Sequence, residues 1–529
     1  MTRLRLLPLL AALMSPVAVH AQAEHWWADV KALSDDSMRG RDTGSPEHHQ
    51  AALYVSAQFH VAGLTPAGTS GYLQAVPFVA RSIDESQSGL TLVRDGKPEP
   101  LVLGEDASFQ LRAPLVARVE APIVFVGYGL HLPEYKQDDL AGLDLKGKVV
   151  AYMAGAPPGI PGPVLSHARN QAWAAFRAAG AVGMIAFAGG RSDSAFLRMA
   201  RNRGNPALAL ADAASDGQTG NQLSIQINGA RAERLFFAGA PETFAALGMR
   251  ADSGLPLPHF VLPVSIRSTA HTTERPVISE NVAGILRGTD PKLRDEYLVL
   301  TAHLDHLGVG RPVNGDSIFN GAMDNGSGAA LLMDVAREIQ RQHLTYKRSI
   351  VFLAVTGEEK GLLGSHYYAN HPTVPAGAII ADLNTDMFLP IIPFTMVMAN
   401  GLEESNLADD ARRAGQAVGV PIITDPEPQE NRFVRSDQYS FILRGVPALS
   451  IKVGFLLNTP EHSAVLDFRT NRYHHVGDDT QQHVDMASAA GFERYYMALI
   501  KAVANRDTRP AWNAESYFKR FAGVAGGAP

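Results

Sequence analysis

Residues 297–306 read YLVLTAHLDH, residues 349–359 read SIVFLAVTGEE and residues 376–386 read AGAIIADLNTD. Each is an apolar run without alternation that ends in side chains able to bind a metal. Such runs predict strands buried on both faces. ENVAGILRG (280–288) and GVPALSIKVG (445–454) read the same way. LLMDVAREIQRQ (331–342) puts Leu332, Val335 and Ile339 on one face of an amphipathic helix between two of these runs. Strands alternating with helices predict an α/β fold, a three-layer, mostly parallel sheet covered by helices.

In such sheets ligands bind just past the carboxyl ends of the strands. His303 follows YLVLT by two residues, Glu358 and Glu359 follow SIVFLAVTG, and Asp386 follows AIIADLN. Asp324 in GAMDNGSGAA (321–330) and His474 in YHHVGDD (473–479) complete a series of His, Asp, Glu, Asp and His. Two divalent metals sharing one carboxylate need about this set, with a spare carboxylate, Glu358, as base. Gly326, Ser327 and Gly328 let backbone and metals approach Asp324 closely, which suits a bridging ligand. Of the paired glutamates, one can bind metal while its neighbour moves a proton from metal-bound water to a leaving amine. Asp305, two residues after His303, is placed to orient that imidazole. The doubled histidine leaves His475 as the alternative to His474, since Asp478 or Asp479 stands four residues further on.

Composition bounds the rest. Arg3 and Arg5 precede an apolar stretch, Leu6 to Val19, closing on Ala21, the plan of a signal peptide over residues 1–21. The expected location is exported, in a bacterial periplasm or outside the cell. No later stretch reaches the ~18 unbroken apolar residues of a membrane span. With no cysteine, disulfides and thiolate ligands are excluded, and a net charge of -6 argues against nucleic-acid partners. There is no HExxH helix, no GxSxG elbow and no phosphate loop. His48, His49 and His306 read as surface residues or as neighbours of the site.

The chain of 529 residues predicts more than one domain. Pro46-Glu47 opens a helix with Leu53, Phe59 and Leu64 among its apolar positions. The segment 116–265 differs in character, with APIVFVGYGL (121–130), VVAYMAG (149–155) and VGMIAFAG (182–189) as strands and HARNQAWAAFRAAGA (167–181) as helix. It is expected to be a β-rich insert, leaving 22–115 and 266–506 as one discontinuous domain and 507–529 as a tail.

The ordered motifs HLD (303–305), GAMDNGSGAA, GEEKGLLGS (357–365), NTDM (384–387) and YHHVGDD resemble the two-zinc exopeptidase family. That family includes secreted bacterial leucyl-type aminopeptidases, aminopeptidase Y, glutamate carboxypeptidase and the transferrin receptor. RGRDTGSPEHHQAALYVSAQF (39–59) also looks familial, and the 116–265 segment resembles the protease-associated domain of many relatives. The resemblance implies two zinc ions, one held by His303, Asp324 and Asp386, the other by Asp324, Glu359 and His474. It makes Glu358 the general base, gives Tyr473 the polarising of the scissile carbonyl, and implies a cis bond between Asp324 and Asn325. The expected activity is that of an aminopeptidase, with a metal-bound hydroxide attacking the first peptide carbonyl. The alternatives are a carboxypeptidase gripping acidic C-terminal residues through Arg432 and Arg435, and a non-catalytic receptor on the same fold.

Overall fold

The computed structural model describes residues 16–188, 193–212 and 220–524. Most of the expected signal peptide, residues 1–15, lies outside the described residues. The predicted apolar runs meet in one 10-stranded sheet. Its path runs 207–210, 73–83, 272–286, 349–355, 297–303, 379–384, 448–453, 397–400 and 422–423, with 65–66 paired off the third of these strands.

The four strands from 349–355 to 448–453 are parallel neighbours. Both outer flanks add antiparallel pairs. Every residue of Tyr297–His303, Ser349–Val355, Ile379–Asn384 and Ala448–Val453 is buried. Burial on both faces explains why these runs are continuously apolar instead of alternating. Because the strands are parallel, their carboxyl ends lie along one edge.

Helices cover both faces. Ser327–Arg341 and Met486–Ala504 contribute Leu332, Val335, Phe492 and Tyr496 to the larger core, joined by Trp26 and Val30 of the helix Pro16–Leu33. Tyr368 and Phe441 pack beneath the opposite face with Val299 and Val351. The Trp26 indole N–H donates to the carbonyl of Ser327 at 3.0 Å, tying the N-terminal helix to the first turn after Asp324.

The helix expected at Pro46 spans Pro46–Val61, capped by the Ser45 hydroxyl, which accepts the His48 N–H. Its buried face is Ala51, Ala52, Val55 and Phe59, whereas Leu53 is 49% exposed and Leu64 lies beyond its end. Two expectations change here. Leu53 is not a core position. His48 is fully buried, its Nδ1 3.1 Å from the Ser279 hydroxyl, which lies 2.8 Å from that of Thr356. His306 is also fully buried, on the side of its reading as a neighbour of the site.

A second, 8-stranded sheet has its own core around Ile123, Phe125, Ile185 and Phe236. It takes strands 89–94, 97–101 and 107–109 as well as the expected ones, so it begins well before 116. The strands Gly89–Arg94 and Phe260–Thr269 pair directly, and that pairing closes the unit. Strand Ala207–Leu210, from within the same stretch of chain, instead pairs with Leu73–Ile83 in the larger sheet. The C-terminal segment is no loose tail as far as it is described. Phe518 is fully buried among Phe433, Trp512 and His167.

Phe518→Ala should cost about 3–5 kcal/mol, the range for a buried Phe truncated to Ala, read as a lower denaturant midpoint. Burial also pushes the pKa of His48 down to about 3, against about 6.5 in an unfolded chain. A depressed imidazole contributes stability that is complete above pH ~6.5 and is lost as pH falls toward 3. In chelated protein, His48→Asn should flatten the fall of the urea midpoint over that window; an unchanged slope would assign the acid sensitivity elsewhere.

Candidate metal centre

Each predicted ligand is delivered by a different piece of the sheet edge. His303 is the last residue of its strand, Glu358 and Glu359 follow the strand ending at Val355, and Asp386 follows the strand ending at Asn384. Asp324 precedes the helix that starts at Ser327, and the Asp324-Asn325 peptide is cis, as the resemblance implied. Two glycines make room for this loop. A side chain at Gly328 would meet the Thr385 carbonyl at 2.0 Å, and one at Gly321, which has a φ of +60°, would meet that of Asp324 at 2.2 Å. His474 also sits at positive φ, 54°, a conformation that non-glycine residues hold only under local constraint.

The side chains converge. His303 Nε2 lies 3.1 Å from Asp324 Oδ1 and 3.3 Å from Asp386 Oδ1. On the other side of Asp324, His474 Nε2 is 3.3 Å from Oδ2 and 3.1 Å from Glu359 Oε2. Asp324 thus stands between two sets of donors, His303 with Asp386 and His474 with Glu359. Glu358 brings its carboxylate close to His303 and Glu359. His475 stays out of this cluster, its Nδ1 accepting the Gly477 N–H at 3.1 Å.

Backbone anchors hold the loops. Asp478 is fully buried and accepts the N–H groups of Met323 and Asp324, both at 2.9 Å. Asp305 has a different task from the one expected. The His303 Nδ1 meets the Asp305 backbone carbonyl at 3.0 Å, while its carboxylate lies 3.9 Å away. That carboxylate accepts from the Thr43 hydroxyl at 2.8 Å and from the Glu358 N–H at 3.1 Å. It fixes the glutamate loop, and the carbonyl fixes the imidazole. Arg41, fully buried, donates to the carbonyls of Leu304 (2.8 Å), Asn320 (2.7 Å) and Gly321 (3.0 Å), joining the loops after His303 and before Asp324.

Electrostatics describe a cluster of negative charge in a buried place. Burial alone would raise Asp324, but the His303 and His474 imidazoles hold it well below the carboxylate range. Burial would depress His303, yet Glu358, Asp324 and Asp386 raise it well above the usual imidazole value. His474, likewise opposed by burial, is raised to about 10 by Asp324 and Glu359. Glu358 is pushed well above the ordinary range by burial and by Asp386 and Glu359, against the pull of His303. Burial and four nearby carboxylates raise the Tyr473 hydroxyl, so it remains a donor at neutral pH.

The donors suit divalent metals. Asp324 Oδ2 is buried with no hydrogen-bond partner, and the imidazole and carboxylate atoms of His303, Asp324 and Asp386 lie within 4.8 Å of one another. His306, Asp324 and Glu359 form a further group of this kind, with His306 Nδ1 2.7 Å from Glu359 Oε1. Sequence reading gave His306 no more than a minor role and passed over Arg41 and Thr43. The signals available were HLDH, with its second histidine three residues after the first, and the RGRDT stretch.

Two clefts meet at Glu358 and Tyr473. One has apolar walls from Met387, Leu389 and Phe455 and also contains Lys452. The other is bounded by Arg112, Asn170 and Gln171 together with His366 and Tyr439. Tyr473 stacks on His474, with ring centroids 3.9 Å apart.

Residues 281–500 match the model of Peptidase family M28, which bears out the resemblance carried by the motifs. Aminopeptidase Y of Saccharomyces cerevisiae is 29% identical over 210 residues, 38% of this chain and 34% of its own length. Leupeptin-inactivating enzyme 1 of Streptomyces exfoliatus is 29% identical over 161 residues, 30% of this chain and 32% of its own. A probable zinc metalloprotease of Pyricularia oryzae is 33% identical over 127 residues, 24% of each chain. The chain therefore spans about a third or less of the length of these curated relatives. Among solved structures, an aminopeptidase from Aneurinibacillus sp. strain AM-1 shares the fold with a TM-score of 0.54 and 17% identity, over 93% of this chain and 96% of that one.

Asp478→Ala leaves two buried N–H groups without an acceptor beside Asp324. It should weaken metal affinity by about 10–100-fold, the usual cost of losing a support behind a ligand, in competition with a chromophoric chelator. His475→Ala should leave the affinity within twofold of the parent, about the noise of that assay; a larger loss would bring His475 back as a ligand.

Proposed function

We propose, from the peptidase family that residues 281–500 match, that this chain is a zinc-dependent aminopeptidase that releases N-terminal residues from peptides. The observation that carries the reading is the meeting of His303, Asp324, Asp386, Glu359 and His474 around one shared carboxylate, with Glu358 beside it. Two zinc ions would be held by this set, one by His303, Asp324 and Asp386 and the other by Asp324, Glu359 and His474. Bound zinc supplies Lewis acidity to the scissile carbonyl and to the attacking water.

The chain's own groups do the rest. The Glu358 carboxylate takes the proton of the attacking water and passes it to the nitrogen of the leaving amine. Asp305 holds the Glu358 backbone through the N–H bond at 3.1 Å, so the base stays aimed at the cleft. The Tyr473 hydroxyl, at the junction of the clefts, donates to the carbonyl oxygen as negative charge develops there. Arg112, Asn170 and Gln171 narrow the second cleft, which supports a role for the inserted sheet in limiting access or holding longer peptides. The carboxypeptidase alternative loses its arginine grip on the geometry. Arg432 is engaged by Asp425 and by Glu427 at 2.7 Å, and Arg435 by the Glu430 carbonyl at 3.0 Å. The apolar run after Arg3 and Arg5 supports export to a bacterial periplasm or beyond, testable by N-terminal sequencing of the protein recovered outside the cytoplasm.

Chelation should abolish release of amino acids from unblocked anilides, and zinc should restore it, with about two metal ions bound per chain at full activity. Glu358→Gln should keep the metal content and lose at least 10²–10⁴-fold in kcat, roughly the general acid–base contribution. Metal lost from that variant would exchange the roles of Glu358 and Glu359, and activity surviving exhaustive chelation would defeat the reading.

A further inference from the structure

The cleft beside the metal centre combines apolar walls with one buried charge. Strand Ala448–Val453 pairs with Val397–Asn400 in the register Met398 to Lys452 and Asn400 to Ser450, so Lys452, Ser450 and Met398 share a face. All three line the cleft, along with Asp386 and Glu358. Lys452 is 8% exposed, and among the described residues its ammonium forms no hydrogen bond or ion pair within 4.0 Å.

The other cations of this cleft are already engaged. Arg432 is held by Asp425 and Glu427, Arg469 by Glu427 at 2.7 Å and Glu430 at 3.4 Å, and Arg435 by Glu430 at 3.5 Å. The charges that act on Lys452 are Asp386, Arg432, Asp324 and Asp425, and burial pulls its pKa below the usual lysine value. Asp386 and Asp324 are ligands in the proposed centre, so with metal bound their charge is committed there. That leaves a desolvated ammonium in the cleft that Glu358, Asp386 and Tyr473 also line. A purely apolar side chain in this cleft would keep it unpaired, whereas a carboxylate would satisfy it.

We propose that Lys452 makes this cleft a subsite for an anionic side chain, so that the preferred N-terminal residue is glutamate or aspartate, its methylenes packed on Met387, Leu389 and Phe455 and its carboxylate on the lysine. This rests on the aminopeptidase reading and names the substrate class of that site. It separates the chain from an enzyme for leucyl-type residues, whose subsite needs no cation.

The test compares the unblocked p-nitroanilides of Glu, Gln, Leu and Met on the zinc-loaded enzyme, since Glu and Gln differ in charge and hardly in shape. The expected kcat/KM for Glu exceeds that for Gln by about 10–100-fold, the range for a charged hydrogen bond. Lys452→Met should bring the Glu to Gln ratio down toward one, and Lys452→Arg should retain part of it. Binding of free L-glutamate and L-glutamine to the wild-type protein, measured by calorimetry, gives the same ordering without turnover and without a variant that must fold. Equal or better use of Gln or Leu by the wild type, equal binding of the two amino acids, or a ratio unmoved in a folded Lys452→Met protein overturns the inference alone. No turnover of any unblocked anilide, or cleavage of an N-blocked peptide ending in Glu, overturns the aminopeptidase reading and the inference with it.

Discussion

The constraint on which the rest depends is the confinement of four carboxylates, Asp324, Glu358, Glu359 and Asp386, in one buried place. Like charges so close repel strongly where water is scarce, and a chain free to relax would splay them apart. Two devices oppose that. Imidazoles of His303, His306 and His474 are interleaved with the carboxylates. The carriers are also tied by their backbones, Asp324 through Asp478 and Glu358 through Asp305. The anchors are themselves buried carboxylates, so the arrangement is held by hydrogen bonds to N–H groups more than by net charge. Arg41 adds a positive charge behind the site while its own donors go to carbonyls, and burial brings its pKa down to about 10.

Much of this could be read in the chain because parallel strands buried on both faces leave a distinctive trace, an apolar run followed at once by polar residues. The proposed ligands His303, Glu359 and Asp386 were legible for that reason. Burial of a polar residue far from such a run leaves no trace. His48 read as a surface residue or a neighbour of the site because nothing in PEHHQ announces the Ser279 hydroxyl that meets it, and the same helix hid the exposure of Leu53 behind an ordinary apolar letter. The task of Asp305 was misjudged because a two-residue spacing does not tell a backbone carbonyl from a side chain. Lys452 sits inside an apolar strand, where a single charged residue reads as noise until the register shows which way it faces.

The boundary of the second sheet illustrates a different limit. Composition changes near residue 116, but hydrogen bonding does not follow composition. Gly89–Arg94 pairs with Phe260–Thr269 across more than 150 intervening residues, and no local signal encodes a pairing of that separation. The C-terminal stretch misled for the opposite reason. Residues 507–529 read as a tail, whereas Phe518 is buried in ring contact with Trp512, Phe433 and His167.

The placement of Ala207–Leu210 has a consequence for biosynthesis. Strand Leu73–Ile83 emerges early from the ribosome, but its neighbours Ala207–Leu210 and Thr272–Leu286 follow only after well over a hundred more residues. Until then it is an apolar strand without partners on either edge, the kind of segment that associates with other chains. The intervening sheet can close on its own core meanwhile, and in closing it draws both delayed partners toward the waiting strand. The second sheet would then serve the nascent chain as a jig for the larger one, before it serves the finished protein in any other way.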